Sequence, residues 1–236
     1  MLLNAGIISG FSPLSLSPLA WFDASDTSTI TESGGAVTQW ADKSGNANNA
    51  NAGTSPVTGT RTVNGLNVID FITNDYLEIS ATIGKPSSFT VAAVFQSDSA
   101  SRQFACGSID SSGATATTWG VIELDTNFET LYGNGSDFRR STFDISASTS
   151  LYKVIATYSN GDSDTSLRVN EVGGSVTGTL GTATSCGGTA YKYSLGRAGE
   201  FNGVYFDGVI CEVVLLDRVI TSGEIAQLES YFSRWG

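Results

Sequence analysis

The chain has 236 residues, a net charge of −11, only 15% charged residues and no histidine. That length suffices for a full hydrophobic core, so neither metal nor disulfide is needed merely to fold. The acidity excludes the basic face that nucleic acid or an anionic membrane requires, and the lack of histidine removes the commonest general base and metal ligand. Ser, Thr, Gly and Asn are abundant, including 27 glycines, which is the makeup of many short strands joined by turns.

The first eighteen residues read as an extended N-terminal docking arm. The start carries no basic segment, and Ser, Asn, Gly and Pro interrupt its apolar stretch, so it reads neither as a signal peptide nor as a membrane span. Pro13 and Pro18 bracket Leu14 to Ser17 and favour extended backbone. Phe11, Leu14, Leu16 and Leu19 are apolar at the edge of the domain. A free apolar arm is a liability, so these residues are expected to pack on a neighbouring subunit by adding to a sheet edge. The alternative is an arm folded back on its own domain as an edge strand.

Residues 19–236 read as one domain in which strands alternate with turns. Phe89, Val91, Ala93 and Phe95 share one face of a strand, as do Tyr152, Val154, Ala156 and Tyr158 of another. Trp119 to Asp125 and Ser166 to Val172 read the same way. Val209 to Leu216 is apolar on both faces except for Glu212, which predicts a central strand. Turn signals lie at Gly34-Gly35, Ser44-Gly45, Asn64-Gly65, Gly133-Asn134-Gly135, Asn160-Gly161 and Gly187-Gly188. The pattern predicts an all-β fold, a two-sheet antiparallel jelly-roll sandwich, with one short C-terminal helix. Thr221-Ser222-Gly223-Glu224 is a capping box, and Ile225, Leu228, Phe232 and Trp235 follow at helical spacing. Cys106, Cys186 and Cys211 are odd in number and widely spaced, against a disulfide framework or a zinc site; Cys211 reads as core.

Two stretches then carry a resemblance. The opening is Trp21-Phe22-Asp23-Ala24-Ser25-Asp26 followed by Val37-Thr38-Gln39-Trp40-Ala41-Asp42-Lys43-Ser44-Gly45-Asn46. The closing is Phe206-Asp207-Gly208-Val209-Ile210-Cys211-Glu212-Val213, Leu216-Asp217-Arg218, Glu224-Ile225 and Tyr231 to Gly236. In the middle, Asn64-Gly65-Leu66 leads to Phe71, after which Ile72-Thr73 replace the family's usual glycine. The chain resembles the laminin G-like branch of the concanavalin A-like lectin/glucanase superfamily over residues 21–236. The resemblance implies a jelly roll that binds sugars, binds proteins, hydrolyses glycans or serves as a spacer. It also implies a setting, since such domains recur in bacterial surface proteins and in the virions of tailed bacteriophages.

Three chemistries are weighed. Glycan hydrolysis needs carboxylates at alternate positions of one strand; Glu123 and Asp125 share a face, but Asn127 follows and Glu129 falls one step late. A cation loop is suggested by Asp42, Ser44, Asn46 and Asn48, oxygen-bearing at alternate positions, with calcium as the only cofactor considered. The competing reading is a turn whose Asp and Asn bond their own backbone. A glycan surface is suggested by Tyr132, Asp137, Arg139 and Arg140 in a Gly-rich region, with Phe138 between them, and by Tyr191 and Tyr193 around Lys192. Trp21, Trp40 and Trp235 are assigned to the framework.

The sequence therefore leads to the expectation of a non-enzymatic bacteriophage virion protein, a capsid decoration or a tail component, made in the host cytoplasm. Its expected partners are other virion proteins or copies of itself, with glycans as a further ligand and neither nucleic acid nor membrane. The alternative is a carbohydrate-binding module of a bacterial surface system, with a glycoside hydrolase a distant third.

Overall fold

A computed structural model describes residues 10–72, 74–79, 83–109, 118–125, 127–133, 138–143, 149–159, 166–173, 175–177, 192–200 and 203–236. Among them the strands are β1 (Ala20–Asp23), β2 (Ile30–Ser33), β3 (Ala36–Trp40), β4 (Ala50–Ala52), β5 (Val57–Val63), β6 (Leu66–Phe71), β7 (Leu77–Ile79), β8 (Ser88–Ser97), β9 (Gln103–Ser108), β10 (Trp119–Leu124), β11 (Phe128–Gly133), β12 (Phe138–Phe143), β13 (Leu151–Ser159), β14 (Ser166–Val169), β15 (Val172–Gly173), β16 (Ser175–Thr177), β17 (Ser194–Leu195) and β18 (Gly208–Leu216), followed by the helix α1 (Ser222–Phe232).

Strand β18 is central, as its two-sided apolar run predicts. One edge pairs with β8, and the other with β6 near its start and β1 near its end, all antiparallel. Beyond β8 lie β13, β14 and β15. A second run passes from β2 through β3, β4, β7, β17, β9, β10, β11 and β12 to β16. The runs join at one margin, where Ala36 of β3 pairs with Val57 of β5 and β5 forms a hairpin with β6. The fold is thus all-β, antiparallel and nearly closed, with one short C-terminal helix.

The alternation seen in the sequence decides which side chains meet. Phe89, Val91, Ala93 and Phe95 of β8 and Tyr152, Val154, Ala156 and Tyr158 of β13 all enter the main core, beside Trp40, Trp119 and Phe206. The opposite faces of β8 and β18 (Ala92, Val94, Val214, Leu216) form a second cluster, which Leu228 and Phe232 of α1 and then Trp235 cover. The helix begins as expected: the Thr221 hydroxyl accepts from the Glu224 N–H at 3.3 Å and Glu224 Oε2 accepts from the Thr221 N–H at 2.7 Å. The expected strand over residues 166–172 is interrupted. Asn170 and Glu171 adopt φ of 49° and 70°, making a tight turn between β14 and β15, and Asn170 Oδ1 accepts from the Lys153 N–H at 2.9 Å. Asparagine tolerates that left-handed backbone better than most residues.

The extended form expected of the N-terminal docking arm is corrected over its described part. Pro13–Leu16 form a 3-10 turn rather than extended chain, with Ser12 capping the Leu14 N–H and Pro13 pre-set at the first turn. Leu16 is buried in the second cluster, and Phe11 and Leu19 are half-buried, Phe11 lying edge-on 5.9 Å from Tyr231. Of the four residues only Leu14, 50% exposed, faces solvent. Residues 1–9 lie outside the described residues.

The polar exception in β18 is the hub of the fold. Glu212 is fully buried and accepts from Trp21 Nε1 at 2.8 Å, Trp235 Nε1 at 2.9 Å and Arg234 Nη2 at 2.6 Å. Arg234 also reaches Asp23 at 3.0 Å, and Lys43 bridges Asp23 at 3.2 Å and Asp26 at 2.8 Å. Burial raises the Glu212 carboxyl above the usual carboxylate range, and Arg234 opposes that rise. Glu212→Ala removes the common acceptor of two buried indole N–H groups and leaves the Arg234 guanidinium, among the described residues, only its hydrogen bonds to Asp23 and Ser25. Urea unfolding is expected to show a loss of about 3–5 kcal/mol; a loss below about 1 kcal/mol would show that the contacts are incidental.

Candidate functional site

Half-buried polar side chains run across the outer face of the second strand run. The register sets Gln39 of β3 opposite Asn51 of β4, and Asn51 opposite Glu78 of β7. Their inward neighbours Trp40, Ala50, Leu77 and Ile79 fill the core, so alternation turns the three polar residues outward. Gln39 Nε2 donates to Asn51 Oδ1 at 2.8 Å.

The row ends in a cluster of charges and rings. Glu78 is bridged by Lys192 Nζ at 2.9 Å and Arg197 Nη2 at 3.1 Å, and that contact raises the Lys192 ammonium above its ordinary value. The Arg197 guanidinium stacks on Tyr76, 3.4 Å from the ring centroid, and Tyr205 stands 6.4 Å from Tyr76. A side chain at Gly53 would place its Cβ 2.0 Å from the Tyr76 ring, so the glycine admits the tyrosine. Arg197 is itself buried, and its Nε has no hydrogen-bond partner among the described residues. The arrangement offers amides, a carboxylate held by two cations and two half-buried tyrosines. This is chemistry for hydrogen-bonding and stacking a hydroxylated ligand.

The residues expected from sequence to form a cation loop are engaged otherwise. Asp42 Oδ1 accepts from the N–H groups of Trp21 and Ser44, at 2.9 and 2.8 Å. Its Oδ2 accepts from the Ser44 hydroxyl at 2.6 Å and the Asn48 N–H at 3.0 Å. The amides of Asn46 and Asn48 donate to the Leu19 carbonyl at 3.2 and 2.7 Å. The loop is a self-bonded turn that ties β1 to the β3–β4 connection. Among the described residues no group of three His, Cys, Asp or Glu is gathered that could hold a metal ion.

Of the expected glycan surface, the two tyrosines within the described residues are turned inward. Tyr132 is buried, its ring stacked 3.8 Å from that of Tyr158. Tyr193 is buried too, its hydroxyl donating to the Gly120 carbonyl at 2.7 Å. Both alternate into the core, so neither can stack on a sugar. Arg139 and Arg140 lie on β12 opposite Tyr132 and Leu131; Asp137 and Tyr191 lie outside the described residues. Of the carboxylates weighed for hydrolysis, Glu123 is buried against Arg102 Nε at 2.5 Å, opposite Glu129, while Asp125 is exposed past the end of β10.

Sequence reasoning passed over Tyr76, Glu78, Arg197 and Tyr205. They belong to short segments far apart in the chain, and the alternation Tyr76-Leu77-Glu78-Ile79 was the one local signal of an outward carboxylate.

The family model described as the concanavalin A-like lectin/glucanases superfamily matches residues 71–226. No curated protein matches the chain in sequence. Among solved structures, a mutant Trypanosoma rangeli sialidase displaying trans-sialidase activity is similar at a TM-score of 0.59 and 16% identity, over 94% of this chain and 34% of the sialidase. The chain thus spans about a third of that protein's length. Domain 4 of an extracellular arabinanase from Geobacillus stearothermophilus, in complex with arabinotriose, is similar at a TM-score of 0.57 and 11% identity, over 89% of this chain and 97% of that domain. The receptor binding domain of botulinum neurotoxin D is similar at a TM-score of 0.60 and 13% identity, over 94% of this chain and 54% of that one.

The saturation of Asp42 yields a clear expectation. Asp42→Ala should destabilise the fold by about 2–4 kcal/mol through lost acceptors for partly buried N–H groups, equally in calcium and in EDTA. A melting temperature of the parent protein that rises by many degrees with calcium would instead establish the loop as a cation site.

Proposed function

The chain belongs to the concanavalin A-like lectin/glucanases superfamily, and on that footing we propose that it is a non-catalytic glycan-binding module with a two-sheet jelly-roll architecture. The observation that carries the proposal is the outward row Gln39–Asn51–Glu78 ending in the Tyr76–Arg197–Tyr205 cluster. Amides and carboxylates match sugar hydroxyls, and half-buried aromatic rings match the apolar faces of sugars. Support also comes from the similar arabinanase domain, which is in complex with arabinotriose. The non-catalytic part is supported by the two carboxylates most suited to chemistry: Glu78 and Glu123 are both spent on cations.

A glycan array followed by calorimetry on the best ligand tests this reading. Asn51→Ala combined with Glu78→Gln should weaken binding at least about tenfold, measured well below the variant's melting temperature, which should fall because Glu78 pairs with the buried Arg197. Glycan release should be undetectable in the parent protein and in Glu123→Gln and Asp125→Asn. Binding to no glycan, or release that either carboxylate variant abolishes, would overturn the proposal.

For the setting we keep the bacteriophage virion, with other virion proteins or further copies of the chain as neighbours. Its support is the resemblance of Trp21–Asp26 and of Phe206–Val213 to domains recurring in such particles. Mass spectrometry of purified particles from the source culture should find the protein at stoichiometric abundance. Its presence only in the host cell envelope would move it to the bacterial surface reading.

A further inference from the structure

A recess lies at the margin where the two strand runs join, lined by none of the residues of the polar row. Its volume is about 300 Å³, and it is lined by Thr27, Ile30, Glu32, Gly35, Thr58, Gly59 and Asn67. Space of that size holds about ten water molecules and lies at the small end of ligand pockets. It has the room of one sugar ring rather than of a chain.

Backbone geometry opens the recess. The β2–β3 hairpin turns at Gly34-Gly35, with φ of 60° and 88°. The β5–β6 ladder is irregular between Thr58 and Thr62, around Gly59 at φ 78°. A Cβ at Gly59 would meet nothing within 4 Å. The Thr58 N–H donates to the Gly35 carbonyl at 2.9 Å, fastening the two walls together. Ile30 packs against the main core from one side.

The polar groups divide into fixed and available. Asn67 Nδ2 is held by the Ala24 carbonyl at 2.9 Å and by Thr58 Oγ1 at 3.0 Å. Glu32 Oε2 accepts from the Gly35 N–H at 2.6 Å, which orients the carboxylate. Its Oε1 and the Thr27 hydroxyl have no partner among the described residues. One oriented carboxylate oxygen, one hydroxyl and one aliphatic wall in a glycine-opened recess suit a ring with an apolar face and hydroxyl edges. The lining holds no cation, so an anionic sugar finds no counter-charge there.

We propose that this recess binds a single neutral monosaccharide unit, seated on Ile30 with its hydroxyls on Glu32 and Thr27, separately from the polar row. Only the choice of ligand class rests on the glycan reading above.

Amide NMR titration of the whole chain with glucose, galactose, mannose, arabinose and N-acetylglucosamine tests the proposal. At least one sugar should bind with a Kd on the order of 1 mM, shifting the amides of Glu32, Gly35, Thr58 and Gly59. Glu32→Gln should weaken it about tenfold and Thr27→Trp, an exposed position, should block it, with unchanged melting temperatures. The Asn51→Ala, Glu78→Gln variant should bind the same sugar normally. A recess that responds while the array shows no glycan on the row would leave this proposal standing and remove the other. No response to any sugar, shifts confined to the row, or binding that persists in Thr27→Trp would overturn it.

Discussion

One buried carboxylate organises this protein. Glu212 sits in the middle of the central strand with no exposure and takes its three donors from opposite ends of the chain, Trp21 from the opening and Arg234 and Trp235 from the close. Burying a charge of this kind is costly, and a paired one seldom adds much net stability over an apolar substitute. Its value lies in what it forbids. β1 cannot slip along β18, nor the tail after α1 leave its place, without taking donors from a carboxylate that has no access to solvent.

The same network reaches the candidate site through a short chain of contacts. Arg234 and Lys43 both bind Asp23, and Lys43 lies 4.5 Å from the Trp21 ring. Lys43 belongs to the connection between β3 and β4, whose Asp42 accepts from the Trp21 backbone. The loop therefore locks the β3–β4 pair to β1, and that pair carries Gln39 and Asn51. The outward row is thereby tied to the network that joins β1 to the tail after α1, an anchoring that the proposed binding role would favour.

This arrangement explains which parts of the molecule were legible in the sequence. The strands of Phe89 to Phe95 and Tyr152 to Tyr158, the central strand and the capped helix are local patterns, and local patterns survive into structure. The opening and closing motifs were legible as a resemblance, and the structure shows their substance: Trp21, Asp23, Lys43, Glu212, Arg234 and Trp235 are members of one network. The arm misled because prolines favour extended chain in isolation, while Ser12 and Pro13 together start a 3-10 turn that lets Leu16 reach the core. Tyr132 and Tyr193 misled because an aromatic at alternate spacing has the same signature on either face; only the pairing of strands distant in sequence says which face is inside. Tyr76, Glu78, Arg197 and Tyr205 were invisible for the same reason, since their meeting depends on β4, β7 and β17 lying side by side.

The use the molecule makes of its carboxylates bears on what such a surface is suited to do. Cleaving a glycosidic bond asks for two carboxyl groups facing one gap, one to give a proton and the other to attack or to activate water. Glu123 is folded onto Arg102, and Glu78 lies between Lys192 and Arg197. Each is committed to a cation before any ligand arrives. A binding face makes the opposite demand: its polar groups should be held still by neighbours yet keep lone pairs and N–H groups turned outward. Half-buried Asn51 and Gln39, joined to each other along the ladder register and flanked by a doubly anchored Glu78, meet that demand. On the proposed glycan-binding reading, fixed amides, an anchored carboxylate and a tyrosine under a guanidinium would serve as a template for recognition, and the ion pairs that orient Glu78 are the ones that engage its charge.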